Sequence, residues 1–204
     1  MLDRYLRHLV EAHPGESLTL VGHSAGGVLA RLQMVKHPDV PVATLITIAS
    51  PHLGLEVADI AARLGGELMQ ELARSLGEPM AEELVRRFGL GVANDTLSLL
   101  GELATERPGN LLHWLNHQPH PPARYVAVVR DTATPIGFLG HLLLSSRSQD
   151  MGNVEALHGR VTTVRFGEDH LLTADDGPFL ARLLGSLRIS RLPSQRHDLA
   201  LRSP

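Results

Sequence analysis

Cysteine is absent from the 204 residues, which excludes disulfides, thiolate metal sites and a cysteine nucleophile. Lysine is nearly absent: Lys36 stands alone and arginine carries almost all the positive charge, a bias read as genome composition. Trp114, Tyr5, Tyr125 and four Phe are the whole aromatic content, too little for an aromatic-rich sugar or base-stacking site. No apolar run approaches the roughly 18 residues that span a bilayer, so stable membrane insertion is not expected. The opening segment MLDRYLRHLVEAHPG lacks the continuous apolar core of a signal peptide. With neither signal nor span, a cytoplasmic location is expected. The net charge of −3 offers no basic surface for nucleic acid or for an anionic membrane.

What is present fits one globular domain: 43% hydrophobic and 20% charged residues, in a chain long enough to bury a sizeable core. Leu2, Leu6, Leu9 and Val10 share one helical face, so 2–12 reads as an amphipathic helix stopped by His13-Pro14-Gly15. SLTLV, 17–21, reads as a buried strand. The turn GHSAGG follows, then a helix over 25–36 ended by His37-Pro38. VATLITIA, 42–49, is a second strand rich in β-branched residues. This alternation implies a parallel sheet with covering helices. Residues 55–118 carry helical periodicity and no convincing strand. RYVAVVR (124–130) and VTTVRF (161–166) read as further strands, and 179–188 as a last helix, with Asp175 and Asp176 as its N-cap and first turn. The polar tail from Ser190 is expected to be frayed.

The chemistry-bearing motif is Gly22-His23-Ser24-Ala25-Gly26. A serine hydroxyl is a weak nucleophile until a base takes its proton. It must also project clear of the backbone, and a sharp strand-to-helix turn achieves this at the cost of strained dihedrals. Small residues two before and two after, Gly22 and Gly26, are expected where strand and helix crowd together, with Gly27 adding room. The Ala25 amide then stands at a helix N-terminus, where it can donate to a developing oxyanion. The bland reading is a glycine-rich turn whose serine is only an N-cap.

LTLVGHSAGGVLARL resembles the nucleophile elbow of α/β-hydrolase lipases and esterases. LITIASPHLG resembles the strand and Pro-His-x-Gly segment that follow in the triacylglycerol-lipase-like branch, and LLHWLN before RYVAVV is similar to a Leu-Asn helix end there. The resemblance runs from about residue 2 to 188. It implies an α/β-hydrolase-type, mostly parallel sheet with flanking helices, a single domain over 1–189, and a helical cap or lid at 55–118. It also implies a serine, acid, histidine order along the chain. His8, His13 and His23 are then excluded by order or local geometry, and His52 reads as structural. His170, on the loop after the last strand, is the expected base. For the acid, Asp150 in SQDMGNVEAL is similar to a lipase pattern in which Asp-Gly precedes a valine, although Met151 replaces the glycine; Asp131, at the end of RYVAVVRD, is the alternative. Asp169 cannot easily orient the ring of its own neighbour.

No metal or cofactor is expected. His113 and His117 are four apart, but no acidic or cysteine ligand is evident beside them in sequence, so a solvated helix face is the expectation. The relatives usually carry about three to four more strands before the elbow strand and a second oxyanion donor among them. The chain therefore reads as N-terminally truncated relative to them, with an open edge at the elbow strand. The expected function is hydrolysis of carboxylic, lipid-like esters through an acyl-serine. The alternatives are a weak or inactive hydrolase-like binding protein, or an acyltransferase using the same residues. The expected partner is a small-molecule ester, and the oligomeric state is not legible.

Overall fold

The computed structural model describes residues 2–54, 104–130, 144–168 and 172–189. Most of the expected lid, Asp131, Asp169, His170 and the tail from Ser190 lie outside these residues. The molecule divides into two compact units, Met1–His170 and Leu171–Pro204.

The first unit is built on four strands, β1 (Leu18–His23), β2 (Val42–Ile48), β3 (Arg124–Val129) and β4 (Val161–Arg165). They pair in parallel in the order β1-β2-β3-β4. Helix α1 (Leu2–Ala12) precedes β1, and α2 (Ala25–Lys36) links β1 to β2. Two short helices, α3 (Leu111–Asn116) and α4 (Ser146–Gln149), flank β3 in sequence. Single 3₁₀ turns follow at Met151–Asn153 and Glu155–Leu157.

The central strands are apolar on both faces, as a parallel sheet covered on both sides requires. Leu45, Tyr125 and Ala127 join Leu6, Ala30, Met34 and Met151 in one core cluster. Ile46, Ile48, Val126 and Val128, on the alternate positions, are equally closed to solvent. Strand β1 behaves differently. Only Gly22 is buried there, and Val21 is 47% exposed. Among the described residues, β1 is an edge strand of the sheet, as expected.

β2, β3 and β4 each end one residue earlier than the sequence reading, and β1 and the last helix shift further. β1 extends through Gly22 and His23 because they keep pairing with Thr47 and Ile48. In the second unit, α5 spans Asp176–Ile189 and so begins before Pro178. Proline has no amide to offer, but the first helical turn needs none. The buried Asp176 carboxylate accepts from the Thr173 amide at 2.6 Å and hydroxyl at 3.3 Å.

Candidate active site

Ser24 sits between the end of β1 and the start of α2 with φ 53° and ψ −132°. That combination lies outside the three regions open to L-residues and costs on the order of 1–3 kcal/mol. The surroundings hold it there. Its amide donates to the Ile48 carbonyl at 2.9 Å, and its carbonyl accepts from the Gly27 amide at 3.1 Å. Ser24 occupies the N-cap position of α2, yet its hydroxyl makes no capping hydrogen bond. A serine serving only as a cap would have β-region dihedrals and an engaged hydroxyl. Ser24 departs from an ordinary N-cap in both respects.

The glycines work differently from the sequence expectation. A Cβ on Gly22 would stand 2.5 Å from the Gly27 Cα and 2.7 Å from the Gly26 carbonyl oxygen. A Cβ on Gly27 would overlap the Ser50 hydroxyl and approach Thr47 Cγ2 at 2.9 Å. Among the described residues, nothing lies within 4 Å of a Cβ on Gly26. Among the described residues, the tight contact thus runs from Gly22 to Gly27 to Ser50 rather than through Gly26. The reason is orientation: on α2, Gly27 faces the sheet and is buried, whereas Gly26 is half-buried. Ser50 is fully buried, and its hydroxyl donates toward the Ile48 carbonyl at 3.2 Å. Ala49 beside it also has a positive φ, 46°.

Of the remaining expected residues, His23 closes β1 and Ala25 opens α2. The Ala25 amide is one of the first-turn donors that a helix leaves without an internal acceptor. Asp150 follows α4, half-buried. Its Oδ1 accepts from the Gly152 amide and from the Thr163 hydroxyl, each at 2.8 Å. Both bonds fall on one oxygen.

His52 is structural, as expected, and the structure shows how. It is fully buried. Its Nδ1 lies 3.1 Å from Arg31 Nη1, and its Nε2 lies 3.1 Å from Thr47 Oγ1. Arginine can only donate, so Nδ1 accepts and the proton sits on Nε2. His120 is held the same way. Its Nε2 accepts from Arg31 Nε at 3.3 Å and Nη2 at 3.2 Å, while its Nδ1 donates to the Gln118 carbonyl at 2.8 Å. Both rings are neutral. Burial, then the Arg31 charge, push His52 well below the usual imidazole range and His120 down to about 4. Burial also pulls Arg31 down to about 9, which leaves it charged at neutral pH.

Arg31 is the residue the sequence reading missed. It is a fully buried guanidinium on α2, where the sequence reads only as a helix. Its countercharge arrives through an amide. Arg31 Nη2 donates to Asn116 Oδ1 at 2.8 Å, and Asn116 Nδ2 donates to Glu106 Oε2 at 2.8 Å and to the His52 carbonyl at 3.0 Å. The network ties the elbow helix to the Pro-His-x-Gly segment and to the end of α3. A buried charge needs such partners, because desolvation otherwise costs several kcal/mol.

One further expectation is corrected. An acidic side chain does accompany His113 and His117: Glu106 Oε1 lies 3.5 Å from His113 Nδ1 and 3.7 Å from His117 Nδ1. A turn folds residue 106 back over α3, which sequence spacing alone does not show.

The family model for the PGAP1-like alpha/beta domain matches residues 3–72, the stretch that holds α1, β1, the elbow, α2 and β2. Among solved structures, the mature form of the Bacillus licheniformis lipase BlEst2 is similar, with a TM-score of 0.60 and 20% identity over 91% of this chain and 71% of that one. The propeptide form of the same lipase gives 0.56 and 19%, over 90% of this chain and 39% of that one. No curated protein sequence matches the chain. These likenesses bear out the fold expected from the motifs, which is of the α/β-hydrolase type. Among the described residues, no helix is long and apolar enough to cross a membrane.

Proposed function

We propose that this chain is a serine hydrolase of lipase or esterase type that cleaves carboxylic esters through an acyl-serine. The observation that carries the reading is Ser24 itself: a strained backbone, φ 53° and ψ −132°, between a parallel strand and a helix, with the hydroxyl free of any capping bond. Strain of this kind persists where the surroundings over-determine it, and it clusters at reactive residues. In the proposed reaction, Ser24 Oγ attacks the ester carbonyl carbon while His170 takes the hydroxyl proton. His170 then passes that proton to the departing alkoxide, and water releases the acyl group by the same steps in reverse. Asp150 holds the imidazole and stabilises its charged form, with Asp131 the alternative. The Ala25 amide donates to the tetrahedral oxyanion. The lipase likeness and the helical periodicity of 55–118 support an apolar acyl group as the substrate portion.

A second reading rests on the edge position of β1 and the exposure of Val21. In it, the chain keeps the elbow but turns over weakly, or binds without turnover. One experiment separates the two. The purified chain and Ser24→Ala are treated with a fluorophosphonate probe and assayed on a p-nitrophenyl ester series. Labelling and turnover that vanish in Ser24→Ala support the hydrolase. Labelling without turnover supports the second reading, and equal turnover in both proteins refutes the assignment of Ser24.

A further inference from the structure

Glu106, His113 and His117 form a cluster that the elbow does not use. Each offers one ligand atom, and these atoms all lie within 4.8 Å of one another. His113 lies at the start of the last turn of α3 and His117 is its C-cap, so the two rings stand one turn apart, with centroids 4.2 Å from each other. Tetrahedral ligands at zinc distances of about 2.0–2.1 Å are separated by about 3.4 Å. The 3.5 and 3.7 Å between Glu106 Oε1 and the two imidazole nitrogens are close to that edge length.

The outer contacts fit as well. Asn116 holds the other oxygen of Glu106, Oε2, at 2.8 Å. The Glu106 amide donates to the Leu53 carbonyl at 2.9 Å. The carboxylate is therefore anchored, with Oε1 turned toward the imidazoles. On the far side of His117, Nε2 lies 3.8 Å from Glu155 Oε2. A carboxylate facing the non-ligating nitrogen is the usual support of a histidine on zinc. Asn110 fixes the helix that carries both rings: its Oδ1 accepts from the His113 amide at 2.9 Å, and its Nδ2 donates to the Thr105 carbonyl at 3.0 Å.

We propose that Glu106, His113 and His117 form a zinc site with its fourth position open to water. Two imidazoles and one carboxylate suit zinc, whereas magnesium and calcium take oxygen ligands. His117 Nδ1 lies 2.7 Å from the His113 carbonyl oxygen, so it carries the ring proton in this arrangement. Coordination moves that proton, by way of solvent, to Nε2, where Glu155 faces it, and frees the Nδ1 lone pair for the ion. The bound ion clamps the turn at residue 106 to the end of α3. Through Asn116 it also steadies the buried Arg31.

The test uses the full chain, dialysed against chelator and titrated with zinc chloride by calorimetry and by thermal unfolding. The expected result is one tight ion per chain and a rise in Tm of several degrees at saturation. Affinity should fall by at least tenfold in His117→Ala, whose side chain is half-exposed, with the metal-free Tm expected to stay near that of the wild type. Glu106→Gln, which can still accept from Asn116, is the second variant, with cobalt-loaded wild type read for the visible absorption of a tetrahedral N/O site. Zinc binding and Tm shift that are unchanged in both variants mean an adventitious ion only, on other histidines, and overturn the proposal. So does the absence of stoichiometric binding or of the cobalt spectrum. None of these readouts depends on Ser24.

Discussion

Gly22 and Gly27 are in backbone contact: a Cβ on Gly22 would lie 2.5 Å from the Gly27 Cα and 2.6 Å from its amide nitrogen. The neighbours there are backbone and cannot step aside as a side chain tip would. Gly22→Ala is expected to lose about 1–3 kcal/mol or more of unfolding free energy through overpacking. Gly26→Ala is expected to be neutral or to gain up to about 1 kcal/mol, because no described residue lies within 4 Å of the added Cβ and alanine favours helix. Urea denaturation of the two variants checks both. Equal losses would show that the elbow depends on both glycines after all.

Asn116 is the hinge of the buried polar network, bonded to Arg31, to Glu106 and to the His52 carbonyl. Asn116→Ala leaves a buried guanidinium short of one acceptor and a carboxylate short of one donor. The expected cost is about 2–5 kcal/mol. Asn153→Ala, which removes one exposed bond to the Arg147 carbonyl, should cost about 1 kcal/mol or less. Parallel denaturation curves compare the two.

Acid should destabilise the fold through His52 and His120. Both are held neutral, with folded values lowered, His120 to about 4. Their unfolded value is about 6.5. Below that pH the unfolded chain binds protons that the native state refuses, so their contribution is fully present above about pH 6.5. It declines by up to about 1.4 kcal/mol per pH unit per imidazole as pH falls toward 4. Chemical denaturation from pH 7.5 to 4.5 should show this slope. In His120→Gln, which keeps an acceptor for Arg31, the slope should be reduced.

Asp150 presents one carboxylate oxygen to Gly152 and Thr163, and under the proposed mechanism the other serves His170. Asp150→Asn should then lower kcat by about 10³–10⁴, with KM little changed, by fixing the wrong imidazole tautomer. Asp131→Asn should leave kcat within a few-fold. The reverse pattern on the same ester series would assign the acid to Asp131.

Local features were legible from the sequence because their causes are local. The apolar period of 2–12, the β-branched run at 42–48 and the glycine-serine turn each act within a few neighbouring residues. They placed α1, β2 and the elbow almost to the residue. The parallel sheet followed from the alternation of strand and helix. Less legible was which glycine is crowded. That depends on which face of α2 meets the sheet, and the motif GxSxG does not state it.

The sequence by itself determined the fold class and singled out Ser24, because a sharp strand-to-helix turn has a narrow chemical solution. The tertiary structure decided what surrounds that turn. It buried Arg31 against Asn116 and His120, 85 and 89 residues away, and it brought Glu106 to His113 and His117. The first pairing is set by chain folding across long separations, the second by a turn that sequence spacing does not show. A charged or polar residue in sequence carries no mark of whether water or a distant partner will satisfy it.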